Sequence, residues 1–420
     1  MSSDFTDPHE ERTAAVAGAS AATTEPAVST DEGTIVPSAS QFLRGDLGVI
    51  PVVVALVLIA AFFQTVSPGH IFLSPRNLTE LIGQIITIGT LSLGAVMVLL
   101  IGEIDLSLAV VSALCGGVMG VLSARMGWPA PAAILGGLGA GIIIGIVNGF
   151  FVAVARMPSF IVTLAGLIGF QGLLLKILEP QTTLPIRDNF INSVSVAYLP
   201  DWLGFGLPIA GLVVYAAGLF YERIARQRKG LPLQPIGRFV IQIGGVSLLV
   251  IVILLLFESY RGVPVPAVIL VTLIVTFWLI TTRTAFGRHI FAVGGSPEAA
   301  RRAGINVTGL RIALFALAST LAAVGGMLEA SREFSAPAAP ESTLLLDAIA
   351  AAVIGGVSLF GGRGSVWAVV LGSLIVGSLE NGLDLIGQPA ATKLMVEGAV
   401  LLIAVLSDAL LRRRSATGLR

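Results

Sequence analysis

The chain has 420 residues, 55% of them hydrophobic, with 25 Lys or Arg against 25 Asp or Glu and a mean hydropathy of +0.93. Charged residues make up 12%, about half the roughly 25% of a soluble domain, which excludes a water-soluble globule of this size and an intrinsically disordered chain. Zero formal net charge supplies no basic field for nucleic acid, and the one cysteine, Cys115, excludes a disulfide framework or a multi-cysteine metal site.

Taken in chain order, residues 1–43 are rich in Ala, Ser, Thr, Glu and Pro. The first forty residues hold seven acids and one arginine, Arg12. That composition predicts a disordered cytoplasmic tail and not a cleavable signal peptide. From Asp46 onward, apolar runs alternate with short breaks. Twelve candidate spans fall near 47–66, 80–101, 105–123, 130–155, 158–178, 206–222, 238–257, 264–282, 309–329, 344–360, 365–381 and 394–411. Most reach the ~17–25 residues that cross a bilayer. Two short, Gly-broken runs, 105–123 and 344–360, read as re-entrant or half-helices. The predicted fold class is all-α: a polytopic membrane helical bundle of about 10–12 transmembrane helices with Gly-broken segments. Its organisation is a tail at 1–43, a transmembrane domain at 44–412 and a cytoplasmic tail at 413–420. With both termini inside, 18 of the 25 basic residues fall on the inner side and 7 on the outer, as the positive-inside rule demands.

Four constellations stand out. The first is Ile101-Gly102-Glu103-Ile104-Asp105-Leu106-Ser107, two carboxylates in an otherwise uncharged stretch. Acids at membrane depth are costly and face a cavity or a partner. Asp105 or Ser107 can also serve as the N-cap of the next helix, so an interfacial cap and a break lining the pathway both fit. The second, Ile354-Gly355-Gly356-Val357-Ser358-Leu359, echoes the first as Ile-Gly-x-(Ile/Val)-x-Leu. Paired Gly-interrupted segments point to a transport site, while most glycines, such as Gly136, Gly137, Gly139, Gly141 and Gly145, fit close helix packing. The third is the inner loop 283–308. Ser296 as N-cap, Pro297 as first helical residue, Glu298 in the first turn and Gly304 past the end predict a short helix over Pro297–Ala303. Such a helix suits a groove on a cytoplasmic partner or a membrane surface. The fourth is a set of polar side chains within spans: Gln84, Asn148, Thr163, Gln171, Glu380, Asn381 and Asp384. Each fits helix–helix hydrogen bonding or a substrate contact. No Gly-Lys dipeptide occurs, so the chain carries no phosphate-binding loop. The three histidines lack metal-ligand spacing, and no catalytic nucleophile set is visible.

At these residues the chain resembles the permease subunits of bacterial ABC-type monosaccharide importers, the ribose, galactose and xylose group. The matching pieces are Gly102-Glu103-Ile104-Asp105-Leu106-Ser107, Phe286-Gly287-Arg288, Glu298-Ala299-Ala300 to Gly304-Ile305-Asn306, Leu346-Asp347-Ala348-Ile349-Ala350, Gly355-Gly356-Val357-Ser358-Leu359, and Asn381-Gly382-Leu383-Asp384-Leu385. A further helix pair around Arg226-Gln227-Arg228-Lys229-Gly230 resembles the xylose branch. Two departures are plain: the family commonly has Gly at position 103, and the Ile-x-Leu-Pro continuation of other importers is absent after Gly304.

The resemblance implies a non-enzymatic transport subunit in the bacterial cytoplasmic membrane, carrying a monosaccharide, with xylose foremost. It implies a cytoplasmic ATPase that binds ATP, an extracytoplasmic sugar-binding protein and a second permease copy, in membrane lipid, with no cofactor or metal on this chain. The pathway residues expected are Glu103, Asp105, Ser107, Asn148, Gln171 and Asn381. The ATPase-coupling residues implied by the motif are Glu298, Ala299, Ala300 and Gly304. A branched-chain amino acid permease of related architecture and an ion-coupled secondary transporter using Glu103 and Asp105 are the competing readings.

Overall fold

The structure is a computed structural model and describes residues 50–233 and 235–417. The tail predicted at 1–43 lies outside the described residues, as do 44–49 and 418–420. Fifteen α-helices follow: α1 (Ile50–Val66), α2 (Pro75–Leu99), α3 (Leu108–Gly120), α4 (Ala130–Ala153), α5 (Ser159–Leu178), α6 (Asn189–Val196), α7 (Asp201–Arg228), α8 (Ile236–Glu258), α9 (Val265–Arg283), α10 (Ala285–Gly295), α11 (Pro297–Arg302), α12 (Val307–Arg332), α13 (Leu344–Ile354), α14 (Ala368–Leu385) and α15 (Ala390–Thr417). Two three-residue strands, β1 (Thr183–Pro185) and β2 (Ser335–Pro337), pair antiparallel.

Each of the twelve predicted spans has a helix. Among the described residues, nine helices are long and apolar enough to cross a membrane, and α1 and α13 are shorter apolar helices. One expectation needs correction. The run at 105–123 is not a half-helix: α3 continues through a π turn at Val121–Arg125, giving 18 residues, long and apolar enough to cross. The wider hydrogen-bond spacing of a π turn keeps the backbone paired, so the glycines at 116, 117 and 120 do not break the helix. The polar stretch 179–205 contains α6, capped by Asp188 accepting from Phe190 N at 2.9 Å and Ile191 N at 3.0 Å. The short reading of 344–360 holds. The 11 residues of α13 span about 16 Å at 1.5 Å per residue, roughly half of a ~30 Å hydrocarbon core. A turn-rich segment then returns the chain to α14, with Gly356, Gly361, Gly362 and Gly364 at φ values of 98°, 82°, 72° and 147°. Only glycine adopts such angles without strain, so this composition ends the helix.

The core is built around α12, which packs on α2, α3 and α4. Ala318, Ala322 and Ala323 of α12 are fully buried. Small residues let the backbones approach closely where lipid offers no hydrophobic drive. A methyl group on Gly145 of α4 would lie 2.5 Å from Ala316 Cα, and one on Gly326 would overlap Ser112 O. The packing reading of the fourth span is thus met at Gly136, Gly137, Gly141 and Gly145, whereas Gly139 has open space around it. Helices α7 and α8 are different: they pack on each other and, through α8, on α2. They expose apolar side chains such as Val213, Ile241 and Leu248, as a lipid-facing pair does.

The two ends of the bundle are defined by contacts between loops. At one end, the loop end, Ile104 N donates to Ser159 Oγ at 3.3 Å, Leu106 N to Thr163 Oγ1 at 3.0 Å and Gly362 N to Leu100 O at 2.9 Å. This end carries α10 and α11. At the other, the cavity end, Arg125 donates to Ile177 O at 2.8 Å and Leu178 O at 2.5 Å. There β1 pairs with β2, Leu199 N donates to Val263 O at 2.9 Å, and Lys393 pairs with Asp384.

Candidate functional site

A cavity of about 440 Å³ opens among α2, α3, α12, α13, α14 and the loop after β2. This falls within the ~300–1,000 Å³ of small-molecule sites. Its polar wall is made by Gln84 and Thr87 of α2, Ser112 of α3, Glu329 and Arg332 of α12, Glu333, Glu341, and Glu380 and Asp384 of α14. Apolar and small residues, among them Ile88, Gly116 and Pro340, make the rest.

The polar wall is held in place by specific bonds. Thr87 Oγ1 donates to Glu329 Oε2 at 2.6 Å. Arg332 pairs with Glu329 at 2.9 Å and with Glu333 at 3.0 Å. Glu329 is therefore an oriented acceptor and not a free carboxylate. Glu341 sits in the loop before α13, where burial first, and then the charge of Glu329, push its carboxyl above the usual range. Acids outnumber cations around the chamber, which suits a ligand rich in hydroxyl donors.

The sequence-expected pathway residues fall into two groups. Glu103, Asp105, Ser107 and Asn148 come together at the loop end. Ser107 donates to Asp105 Oδ1 from its N at 2.9 Å and its Oγ at 2.6 Å, and Asn148 Nδ2 donates to Ser107 Oγ at 3.1 Å. Asp105, Ser107 and Asn148 are buried. Glu103 pairs with Arg311, in the first turns of α12, at 3.0 Å. These four close the loop end rather than line the chamber.

Gln171 and Asn381 lie toward the cavity end, just behind its wall. Gln171 Nε2 donates to Ala338 O at 2.7 Å, fixing the loop whose Pro337, Ala339 and Pro340 face the chamber. Asn381 Nδ2 donates to Gln84 Oε1 at 3.0 Å, and its Oδ1 accepts from Asn77 Nδ2 at 2.9 Å. Asn381 thereby orients Gln84, which does line the cavity. Of the in-span polar set, Gln84, Glu380 and Asp384 are at the chamber. The sequence reading did not single out Thr87, Glu329, Arg332 or Glu341. Glu329-x-x-Arg332-Glu333 at the end of a span is a detectable signal, because the i,i+3 pair marks a face.

The loop 283–308 forms as predicted, with two helices instead of one. Ser296 Oγ accepts from Ala299 N at 3.3 Å, Pro297 opens α11, and Gly304 follows it at φ 84°. The short helix ends at Arg302, with Ala303 as its cap. Glu298 and Ala299 are exposed, whereas Ala300 is buried against the bundle. The surface offered to another protein is therefore that of Glu298, Ala299 and Gly304.

A polytopic helical bundle with a polar chamber between its helices and an exposed capped helix at the opposite end has the architecture of a transport permease. The chain belongs to the family described as "Branched-chain amino acid transport system / permease component", which matches residues 77–405. It is 38% identical over 373 residues to the xylose transport system permease protein XylH of Escherichia coli (strain K12), covering 88% of this chain and 94% of that one. It is 35% identical over 366 residues to XylH of Haemophilus influenzae, covering 86% and 96%. It is 33% identical over 345 residues to the ribose import permease RbsC of Bacillus subtilis, covering 82% and 87%. No solved structure matches the chain. The protein is a multi-pass membrane protein of the permease class.

Proposed function

We propose that this chain is the membrane-spanning permease of an ATP-driven importer that carries a monosaccharide, with xylose as its substrate, across the bacterial cytoplasmic membrane. The observation that carries the reading is the near end-to-end relation to two xylose permeases, which exceeds that to the ribose permease in identity and in coverage of this chain. The chamber supports it. Glu329, Glu380 and the Gln84 amide offer acceptors to sugar hydroxyls. A binding protein that holds the sugar tightly outside leaves the permease needing only weak contacts, because release must remain fast.

In this reading the loop end and both termini are cytoplasmic, matching the distribution of basic residues. An ATPase seats on α11 through Glu298, Ala299 and Gly304, and ATP is bound there and not by this chain. A sugar-binding protein delivers at the cavity end, and a second copy of the permease completes the pathway within the lipid. Closure of the ATPase pair displaces the loop, and rigid helices pass that displacement to the chamber.

The test is uptake of labelled xylose by cells that carry or lack the chain. Carriage should restore uptake, unlabelled xylose should compete, and leucine should not. Competition by leucine would overturn the substrate class. Uptake that survives ATP depletion but collapses with an uncoupler would overturn the energy source in favour of ion coupling through Glu103 and Asp105.

A further inference from the structure

The two helix breaks and the inner loop meet at one point. Helix α10 ends beside the first break, so that a methyl group on Gly294 would overlap Leu100 O and lie 2.6 Å from Gly362 N. Gly362 N, in the second break, donates to Leu100 O at 2.9 Å. A methyl group on Gly361 would lie 2.7 Å from Gly102 N and 3.1 Å from Gly294 O. Gly102, at φ 76°, is close-packed but less tight, with Phe360 O 3.2 Å from where its Cβ would be. Three backbones distant in sequence thus touch with no side chain between them. Gly295, the next residue along, has open space around it.

The connections out of this point lead to the chamber. The first break feeds α3, whose Ser112, Ala113 and Gly116 line the cavity, and the second feeds α14, which carries Glu380 and Asp384. On the loop side, α10 is anchored by the fully buried Ile290 and Val293 and leads directly into α11. Close-packed backbone transmits displacement because no flexible side chain is there to absorb it. We infer that Gly294, Gly361 and Gly362, with Gly102, are positioning residues that lock the inner loop to both helix breaks, so that a push on α11 moves α3 and α14 together. The proposed function supplies only the source of that push.

Hydrogen exchange on the assembled importer, with and without a non-hydrolysable ATP analogue, tests the junction. The peptides 98–106 and 357–366 are expected to change protection together with 285–303. In Gly294→Ala the change should be confined to 285–303, ATP hydrolysis should continue, and sugar import should fall at least about tenfold, the scale of a site-to-site coupling. Gly295→Ala should behave as the unaltered protein. A response of 285–303 without 98–106 and 357–366 in the unaltered complex would overturn the inference, as would normal import by Gly294→Ala. If Gly294→Ala does not reach the membrane, the exchange pattern of the unaltered complex decides alone. A complex that moves the three segments together yet imports no xylose supports the junction and contradicts the substrate assignment instead.

Discussion

Glu329 is the side chain on which the chamber's chemistry turns. Its two oxygens are engaged by Thr87 and Arg332, so its position is fixed before any ligand arrives. Preorganised acceptors lose less on binding than mobile ones. Glu329→Ala removes the acceptor and leaves Arg332 with Glu333 alone. Import is expected to fall at least about tenfold, the equivalent of ~1.4 kcal/mol, with membrane abundance kept. Thr87→Val keeps the carboxylate and frees its orientation, so a loss of only a few-fold is expected from the same uptake assay. Glu341 makes a separate prediction. Its folded-state carboxyl is raised above the unfolded value, chiefly by burial. The charged form therefore costs stability at neutral pH; the cost shrinks as pH falls below the raised value and is gone below the unfolded one. Glu341→Gln should raise the thermal midpoint at pH 8, and the gain should vanish below about pH 4, the unfolded carboxyl range. An equal gain at both values would show that the charge is not the cause.

At the scale of elements, packing between α4 and α12 depends on the absence of side chains. Gly145→Val forces a branched group toward Ala316 and Phe315 O, and overpacking of this kind costs ~1–3 kcal/mol. A lower denaturation midpoint in detergent is the expected outcome. The short helix α11 makes the contrasting case, because Glu298 and Ala299 face outward while Ala300 is buried. Glu298→Arg reverses an exposed charge, and Gly304→Trp places a bulky residue at φ 84°. Both should abolish import without lowering membrane abundance. Normal import by both would remove the coupling role from this loop. Ser296, Pro297 and Gly304 made the start and stop of this helix legible in the sequence, since caps depend on neighbouring residues only. The α3 crossing was not legible, because glycines at 116, 117 and 120 mark packing against α5 and α12 as well as they mark a break. The chamber was half legible. Gln84 and Glu380 lie within apolar runs and draw notice, whereas Glu329 and Glu341 look like span-end charges until folding brings Glu329 beside Thr87, 242 residues away, and Glu341 to the same chamber. Asp105, Ser107 and Asn148 were visible as polar residues at membrane depth, but their network forms only once the break before α3 meets α4. The echo between the two breaks was legible, and their contact through Gly361 and Gly362 was not.

At the scale of the molecule, the chamber and the exposed helix lie at opposite ends, and the path between them runs through the backbone junction. The pair α7 and α8 stands aside from this path, exposed along most of its length. In the proposed reading, transport belongs to α2, α3, α12, α13 and α14, and the pair faces lipid. The most direct measurement is xylose transport into vesicles holding the complete purified complex of this chain, its ATPase and its sugar-binding protein. Accumulation that requires ATP, persists with an uncoupler present and is not competed by leucine is the predicted result. Accumulation that proceeds without ATP under an ion gradient, or that leucine blocks, would contradict it.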